Sequence, residues 1–458
     1  MCALVCLLED ICAYCFNFYN RHKFSSSPAS THFTAKDHTA ETEDVIEELG
    51  RRFDSLLIDG RDVAATIEDE EAERMLLRAA RHVQSARVQR RLFNDITRQA
   101  IDDLSNTSLR HCERTRTLVV DYGQNMALPW FGANQPGEVY YYTPLNIFNL
   151  GVVNMADKVG TVNDTLYCHV YSEGEGAKGG NNVASLLMKT IQRFGWGQHE
   201  NEDEAGKEIN VVFDNCPGQN KNNTVLRLVP YLVEMNYFRS VNFIFLVAGH
   251  TKNACDRWFN RLKQTYRQSQ IYLMDMLKET LKSEHVEIIS VQEGDMKDYA
   301  GFLNKYYRKM PKIEGYHIFS CNRSDMKETT MPMKIQECNL EDALSYETNA
   351  YKIRFDGRPK DIAYAEAVKL RRDLIRNTDI DTIPSPGINP YKQVELYKNY
   401  RPNLPGEFQD VTCPKPSDEI FSLIKKEKDS KIAKKKEKVK RRQNVMVNNR
   451  KSIDVDKK

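Results

Sequence analysis

The sequence predicts an α/β protein whose central sheet contains both antiparallel and parallel strands. Three consecutive runs are rich in Val, Ile, Thr and Tyr and are separated by Pro, Gly and Asn: 115–123, 138–153 and 165–174. β-Branched and aromatic residues favour strands, and short turn-rich gaps favour antiparallel neighbours. We therefore expect a three-stranded meander at the start of the sheet.

Two further strands follow the meander and alternate with helices. Nearly continuous apolar runs at 208–215 and 240–249 lie between helical patterns at 179–195, 222–238 and 253–268. Such strands are typical of parallel neighbours in a sheet that helices cover on both faces. A meander followed by two crossover strands is the topology of ribonuclease H. The predicted fold is therefore a ribonuclease H-like mixed sheet flanked by helices, with its first and fourth strands side by side at the centre.

Local signals set the expected ends of the helices. Residues 68–105 lack Gly and Pro and are dense in Ala, Leu, Arg, Gln and Glu, which predicts a long helix before the sheet. Asn182 is the expected cap and Gly195 the stop of the first helix after the meander, and Pro230 is expected to interrupt the second.

The chain divides into six predicted segments. Helical patterns and one strand pattern continue beyond the sheet as a small α+β C-terminal extension, and several prolines then indicate an extended connector. The segments are 1–50, a Cys-containing N-terminal segment and linker; 51–109, a helical region; 110–270, the ribonuclease H-like core; 271–385, the extension; 386–424, the connector; and 425–458, a basic disordered tail.

Composition bounds the class of protein. Of 458 residues, 41% are hydrophobic and 28% charged, which is ordinary for a folded globular chain. The apolar opening has no positively charged start and includes Glu9 and Asp10, so we expect neither a secretory signal nor a membrane span, and we expect an intracellular protein with reduced cysteines. The net charge of +2 combines +10 on residues 425–458 with −8 on the remainder.

Three aspartates are candidate catalytic residues and metal ligands. Asp121 and Asp214 each end a predicted central strand, and Asp256 lies at the start of the helix after the next strand. Neighbouring carboxylates repel one another, and Mg²⁺ or Mn²⁺ bound by oxygen ligands would relieve that repulsion. Two such ions support phosphodiester cleavage. Each aspartate taken alone is also a common turn former or helix cap.

The strings DYGQNMALP, FDNCPGQNKN and AGHTKNACDRWF resemble those of a family of transposon-derived domains with the ribonuclease H-like fold of acidic-triad transposases. The resemblance covers residues 70–320. It implies an integrase-like nuclease with Asp121, Asp214 and Asp256 at the triad positions. The third acid is Asp where the commoner pattern has Glu.

Polar residues around the aspartates are candidate partners of the nucleic acid. Amide and ammonium groups can contact phosphate and sugar, and a strand-to-helix loop capped by its own polar groups is the equal alternative. His250 can act as a general acid or base, or simply close a strand end. The predicted nucleic-acid-binding residues are Gln219, Asn220, Lys221, Asn222 and Lys252.

Zinc is an open alternative at two places. Cys12 and Cys15 precede His32 and His38, although the gap between the pairs is long for a compact zinc finger. Near the aspartates, two cysteines at positions 216 and 255 could join His250 around zinc, but their spacing matches no common zinc pattern.

The leading functional hypothesis is a transposase-derived, Mg²⁺-dependent DNA nuclease or strand-transferase. The alternative is a domesticated DNA- or chromatin-binding protein without catalysis. The basic tail suits a nuclear localisation signal or a nonspecific DNA-binding arm, so we expect a nuclear protein that binds DNA and that can form a homo-oligomer.

Overall fold

The computed structural model describes residues 70–427 apart from short gaps, and residue 430. The gaps are 158–163, 248–251, 328, 340–342, 353–354, 356–357 and 359–361. Ten strands form one mixed sheet in this part of the chain. The strands are β1 Thr115–Tyr122, β2 Met126–Leu128, β3 Leu145–Asn154, β4 Thr165–Ser172, β5 Gly206–Phe213, β6 Phe238–Phe245, β7 Val286–Ser290, β8 Ile318–Asn322, β9 Pro332–Gln336 and β10 Ser345–Asn349.

Helices flank this sheet. The described α-helices are α1 Glu70–Ser105, α2 Gly180–Arg193, α3 Asn223–Leu226, α4 Leu228–Glu234, α5 Ala254–Gln268, α6 Met274–Leu281, α7 Tyr299–Tyr306, α8 Tyr364–Asn377, α9 Pro390–Glu395 and α10 Gly406–Thr412. A further helical stretch covers 418–427. Of the helices in the described ranges, none has both the length and the apolar character needed to cross a membrane.

The sheet order places β1 near the centre. Across the sheet the strands run β10-β9-β8-β6-β5-β1-β3-β4-β7, and β2 pairs with β3. β1, β3 and β4 pair antiparallel, whereas β1, β5 and β6 pair parallel. The predicted α/β class, with a mixed sheet flanked by helices, is confirmed. The sequence also predicted correctly that the first meander strand adjoins the strand that ends before Asp214.

Strands after residue 285 extend the same sheet at both edges. β7 adds to β4 in parallel, while β8, β9 and β10 continue antiparallel from β6. The sequence did not predict β7, which has only five residues. The six-segment division of the chain stays a prediction.

Both faces of the sheet are covered, as the apolar strands require. Leu118 and Val120 of β1 belong to a core that includes residues of α2, α4 and α7. Val119, between them, belongs to the core on the other face, with residues of α1, α5 and α6. The alternation places successive side chains on opposite faces. The sheet is therefore rigid where β1 and β5 end.

Hydrogen bonds hold the long helix α1 against strands β6 and β1 of the sheet. Gln89 is buried, and its side-chain amide donates to the Phe245 carbonyl at 3.2 Å and accepts from the Val247 amide at 2.8 Å. The Thr117 hydroxyl of β1 also donates to the Ile96 carbonyl of α1 at 2.9 Å. The predicted long helix is confirmed over Glu70–Ser105, and these contacts fix its position against β1 and β6.

Two predicted helix signals were misplaced by a few residues. Asn182 is the third residue of α2, not its cap, and its Oδ1 accepts from the Gly179 amide at 3.3 Å. Gly195 ends α2 with φ +71°, as predicted. The second helix breaks at Arg227 and not at Pro230. Pro230 is the third residue of α4, where a missing N–H costs little because the first turn has free N–H groups anyway.

Two segments differ from the extended structure that was expected. The polar residues before Leu145 form a short 3₁₀ turn over Gly137–Tyr141 instead of the start of β3, with Tyr140 and Tyr141 exposed. The connector at 386–424 is not extended. It contains α9 and α10, and four of its apolar side chains belong to the same core as Val119: Leu396, Tyr400, Leu404 and Cys413.

Candidate active site

Asp121 and Asp214 lie side by side at the ends of two parallel strands. Val120 of β1 pairs with Phe213 of β5, and the aspartates are the next residue on each strand. Each carboxylate is partly held by its own backbone, because Asp121 Oδ1 accepts from the Tyr122 amide and Asp214 Oδ1 from the following amide, both at 2.7 Å.

Asp256 joins them from the first turn of α5. Asn253 caps this helix, since its Oδ1 accepts from the Cys255 and Asp256 amides at 2.8 and 3.3 Å. Asp256 Oδ2 accepts in return from the Asn253 amide at 3.0 Å. The Asn253 Nδ2 group donates to Asp121 Oδ2 at 3.3 Å. This asparagine therefore connects the helix start to the central strand, a role that the sequence analysis missed although the Asn-x-x-Asp spacing indicates a capping box.

The charges of neighbouring acids help to raise the pKa of two of these aspartates. Burial, then the charges of Asp256 and Asp214, raise the pKa of Asp121 to about 7. Burial also raises the pKa of Asp256, and the charge of Asp214 raises it further. Carboxylates influence one another's pKa in this way when they are close. Together with the strand pairing and the two Asn253 bonds, these shifts indicate that the three predicted acids lie near one another.

Lys178 is a cation beside this group that the sequence did not indicate as a site residue. Its Nζ donates to the Gly123 carbonyl at 3.2 Å and lies 4.8 Å from the centre of the Tyr122 ring. Burial lowers the pKa of Lys178, while Asp121 acts in the opposite direction. The only sequence signal was a lysine in the Gly-rich loop between β4 and α2, and its proximity to β1 depends on the tertiary fold.

A cavity of about 350 Å³ opens beside Asp256. One wall is the exposed face of α5, where Lys263 and Arg267 lie two and three turns beyond the acid. Trp130 also lines the cavity, and its ring stacks on Tyr266 of α5 at 4.8 Å between centroids. The cavity combines carboxylate, cations and aromatic rings within reach of one ligand.

The loop after Asp214 uses most of its polar groups internally. Asn220 and Lys221 are buried; Asn220 Nδ2 donates to the Asp214 carbonyl at 3.5 Å and Lys221 Nζ to the Glu314 carbonyl at 2.9 Å. Asn222 caps α3, accepting from two amides of its first turn. Gln219 is half-buried. Nucleic-acid contact by these residues stays a prediction, and the structure gives three of them roles within the protein.

Other predicted site residues have different outcomes. Lys252 is exposed at the start of α5. His250 lies outside the described residues, as do Cys12, Cys15, His32 and His38 and the tail beyond 430. Cys255 is fully buried, and burial together with Asp121 and Asp256 raises the pKa of its thiol well above the ordinary value. This shift disfavours the thiolate that zinc would need.

The donor set suits a hard divalent cation. Carboxylate oxygens are ligands that Mg²⁺ prefers, and a bound cation would relieve the repulsion that helps to raise the pKa of Asp121. Among the described residues, no three Asp, Glu, His or Cys side chains are already at ligand distances from a common point. Binding would therefore draw Asp121, Asp214 and Asp256 closer together, using the carboxylate oxygens that the backbone amides leave free.

Comparison with known proteins adds one finding. Residues 159–339 match a family model described as Domain of unknown function (DUF7869). The matching range contains Asp214 and Asp256, and Asp121 precedes it. Neither the curated proteins nor the solved structures gave a match. The similarity thus covers β4 to β9 and two of the three acids.

Proposed function

We propose that this chain is a transposase-derived, Mg²⁺-dependent DNA nuclease or strand-transferase with a ribonuclease H-like core. The observation that carries the proposal is that Asp121 and Asp214 follow paired residues of two adjacent parallel strands and that Asn253 bonds to both Asp121 and Asp256. The sheet order supports it, because β4-β3-β1-β5-β6 is the strand order that a ribonuclease H-like core requires. The resemblance of the surrounding strings to transposon-derived domains gives the substrate class.

Asp121, Asp214 and Asp256 are the residues that would hold the metal. Bound Mg²⁺ or Mn²⁺ would supply an activated water or 3′-hydroxyl and would stabilise the leaving oxygen of the phosphodiester. The chain itself positions the acids. The two strand ends are fixed by the sheet, and Asn253 holds Asp121 and Asp256 in a constant relation through its side chain and its backbone amide.

The cavity beside Asp256 accounts for DNA binding in this proposal. Lys263 and Arg267 provide cations for backbone phosphates along one face of α5. Trp130 provides an aromatic surface for an unstacked base. The basic tail adds nonspecific, salt-sensitive attraction and nuclear localisation.

The first test measures metal binding and DNA nicking on three proteins. Isothermal calorimetry with Mg²⁺ and Mn²⁺ is followed by nicking of supercoiled plasmid, using the unmodified chain, Asp214→Asn and Asp275→Asn. Asn at 214 keeps the oxygen that accepts from the next amide, so the fold is retained. Asp275 has a side chain 91% exposed on α6 and controls for loss of one charge.

We expect the unmodified chain and Asp275→Asn to bind metal and nick DNA, and Asp214→Asn to lose both by at least about 100-fold. Absence of metal binding in the unmodified chain, with salt-sensitive DNA binding retained, would contradict the proposal. That outcome would instead favour the alternative of a DNA- or chromatin-binding protein without catalysis.

A further inference from the structure

A second cavity lies at the other end of the central strands. It has a volume of about 370 Å³ and opens where β1 and β5 begin and where α2 is followed by Gly195. Arg116 on β1 lines it, five residues before Asp121, so about 16 Å of strand separates the two places. None of the proposed metal ligands takes part. The cavity is therefore independent of the proposed nuclease site.

Arg116 is the residue of this cavity that indicates an anionic ligand. The residue is 6% exposed, and its Nη2 donates to the His111 carbonyl at 2.9 Å. Its guanidinium lies 5.2 Å from the centre of the Trp196 ring. Among the described residues no carboxylate pairs with it. A buried guanidinium without an anion is costly, because desolvation is not repaid by a charge partner.

The nearest acid is already engaged elsewhere. Asp103 acts on Arg116 through its charge, but its carboxylate accepts from the Thr115 amide at 2.8 Å and from Gln99 Nε2 at 2.7 Å, and it pairs with Lys207 at 3.6 Å. Burial, followed by the charge of the neighbouring arginine at 114, lowers the pKa of Arg116 to about 10. The guanidinium remains cationic at neutral pH.

The rest of the lining leaves a net positive charge. Arg110 adds a second cation, although it also contacts Glu113 at 3.0 Å. The lining carboxylate is Glu204, which is 61% exposed and stands 3.6 Å from His199 Nδ1. Trp196 and Phe238 form an apolar wall beside the cations. An anion carried on a flat or apolar body complements such a surface.

We propose that this cavity binds a small phosphate-bearing ligand, with Arg116 as the principal anion contact and Trp196 as the wall for the ligand's organic part. The guanidinium fork matches the geometry of phosphate oxygens. The volume is within the range of small-molecule sites and has room for a mononucleotide. The charge of Glu204 opposes binding and limits affinity.

Calorimetry on the full chain tests the proposal with three probes: inorganic phosphate, adenosine 5′-monophosphate and adenosine. We expect both phosphates to bind saturably, the monophosphate more tightly, and adenosine to bind at least about tenfold more weakly than the monophosphate. Phosphate binding without a gain from the nucleoside would restrict the ligand to the oxyanion. Absence of saturable binding by either phosphate at about 10 mM would overturn the proposal.

Variants with opposite expected effects separate recognition from folding. Arg116→Lys keeps the charge and loses the fork, so phosphate affinity should fall about tenfold. Glu204→Gln removes the opposing charge and should raise affinity several-fold. Arg98→Lys, on the exposed face of α1, is the matched control and should change nothing.

Unchanged affinity in both cavity variants would contradict the assignment. If Arg116→Lys fails to fold by circular dichroism, Glu204→Gln alone decides. Asp214→Asn should bind phosphate normally, so loss of the nuclease proposal and loss of this one are distinguishable.

Discussion

The two ends of β1 bury groups of opposite charge. At its C-terminal end Asp121 is buried beside two other acids, and at its N-terminal end Arg116 is buried without an acidic partner in the described structure. Burial shifts both pKa values toward neutrality, to about 7 for the carboxyl and about 10 for the guanidinium. Of these two groups, only the Asp121 carboxyl titrates near neutral pH. A single strand can therefore carry a carboxyl that titrates near neutral pH at one end and a guanidinium that stays cationic at the other.

The largest effect is expected from a substitution in the core of the sheet that both ends of β1 share. Phe213 is fully buried, and its ring lies 5.2 Å from those of Phe243 and Phe245. Phe213→Ala should lower the free energy of unfolding by about 3–5 kcal/mol because it leaves a cavity in the core. Urea titration followed by circular dichroism and by tryptophan fluorescence should give coincident transitions.

Two separate transitions would mean that the two ends fold independently, contrary to a single shared sheet. Phe408→Ala, at a half-buried ring outside the sheet, provides the matched control with a smaller loss.

The second prediction concerns the pH dependence at the acidic end. The pKa of Asp121 is raised to about 7 in the folded state. Stability therefore falls as pH rises from about 4 through 7, because the unfolded chain loses the Asp121 proton at a lower pH than the folded chain does. Asp121→Asn should remove about 2–4 kcal/mol of that fall, measured by urea titration between pH 4 and 8 in chelator.

Magnesium should restore stability to the unmodified chain at pH 8 but not to this variant. An identical pH profile for the two proteins would show that Asp121 does not carry the strain of the three acids.

A smaller effect should separate capping from electrostatics. Asn253→Ala should cost about 1 kcal/mol through loss of the α5 cap. It should also raise the pKa of Asp121 further, since the amide donor to its carboxylate disappears. Asn222→Ala removes a cap from α3 whose hydrogen bonds do not include that carboxylate. Equal shifts of the pH profile in both variants would argue against the Asn253 contact.

The smallest effect is expected at the basic end. Glu204 is largely exposed and makes only a 3.6 Å contact with His199. Glu204→Gln should change the free energy of unfolding by less than about 0.5 kcal/mol. Thermal unfolding beside the unmodified chain measures this. A larger loss would mean that tighter phosphate binding in this variant could not be ascribed to charge alone.

The order of elements was enough to predict the centre of the fold. Three turn-linked strands followed by alternating helices and apolar strands placed β1 beside β5, and hence Asp121 beside Asp214. Asp256 could be expected nearby because its helix follows the next strand. These inferences used the order of elements from β1 to α5 and needed no single contact to be known.

Features that depend on distant contacts were not predictable in this way. Lys178 reaches the acids only because its loop folds over β1, and the cavity at Arg116 is assembled from segments more than a hundred residues apart. The prolines of the connector indicated extended chain, so the helices within 390–412 were not predicted. Pro390 occupies the first turn of α9, where proline is well tolerated, so its presence did not indicate extended chain.

The fastening of α1 has a consequence for the length of that helix. Gln89 bonds beyond the end of β6, and the Ile96 carbonyl bonds to β1, about 10 Å further along the axis. One inserted or deleted residue between them would rotate one anchor by about 100° relative to the other. Substitutions on the outer face of this stretch should be tolerated, whereas any change in its number of residues should not. The number of residues between Gln89 and Ile96 therefore constrains α1 more than the identity of its exposed side chains does.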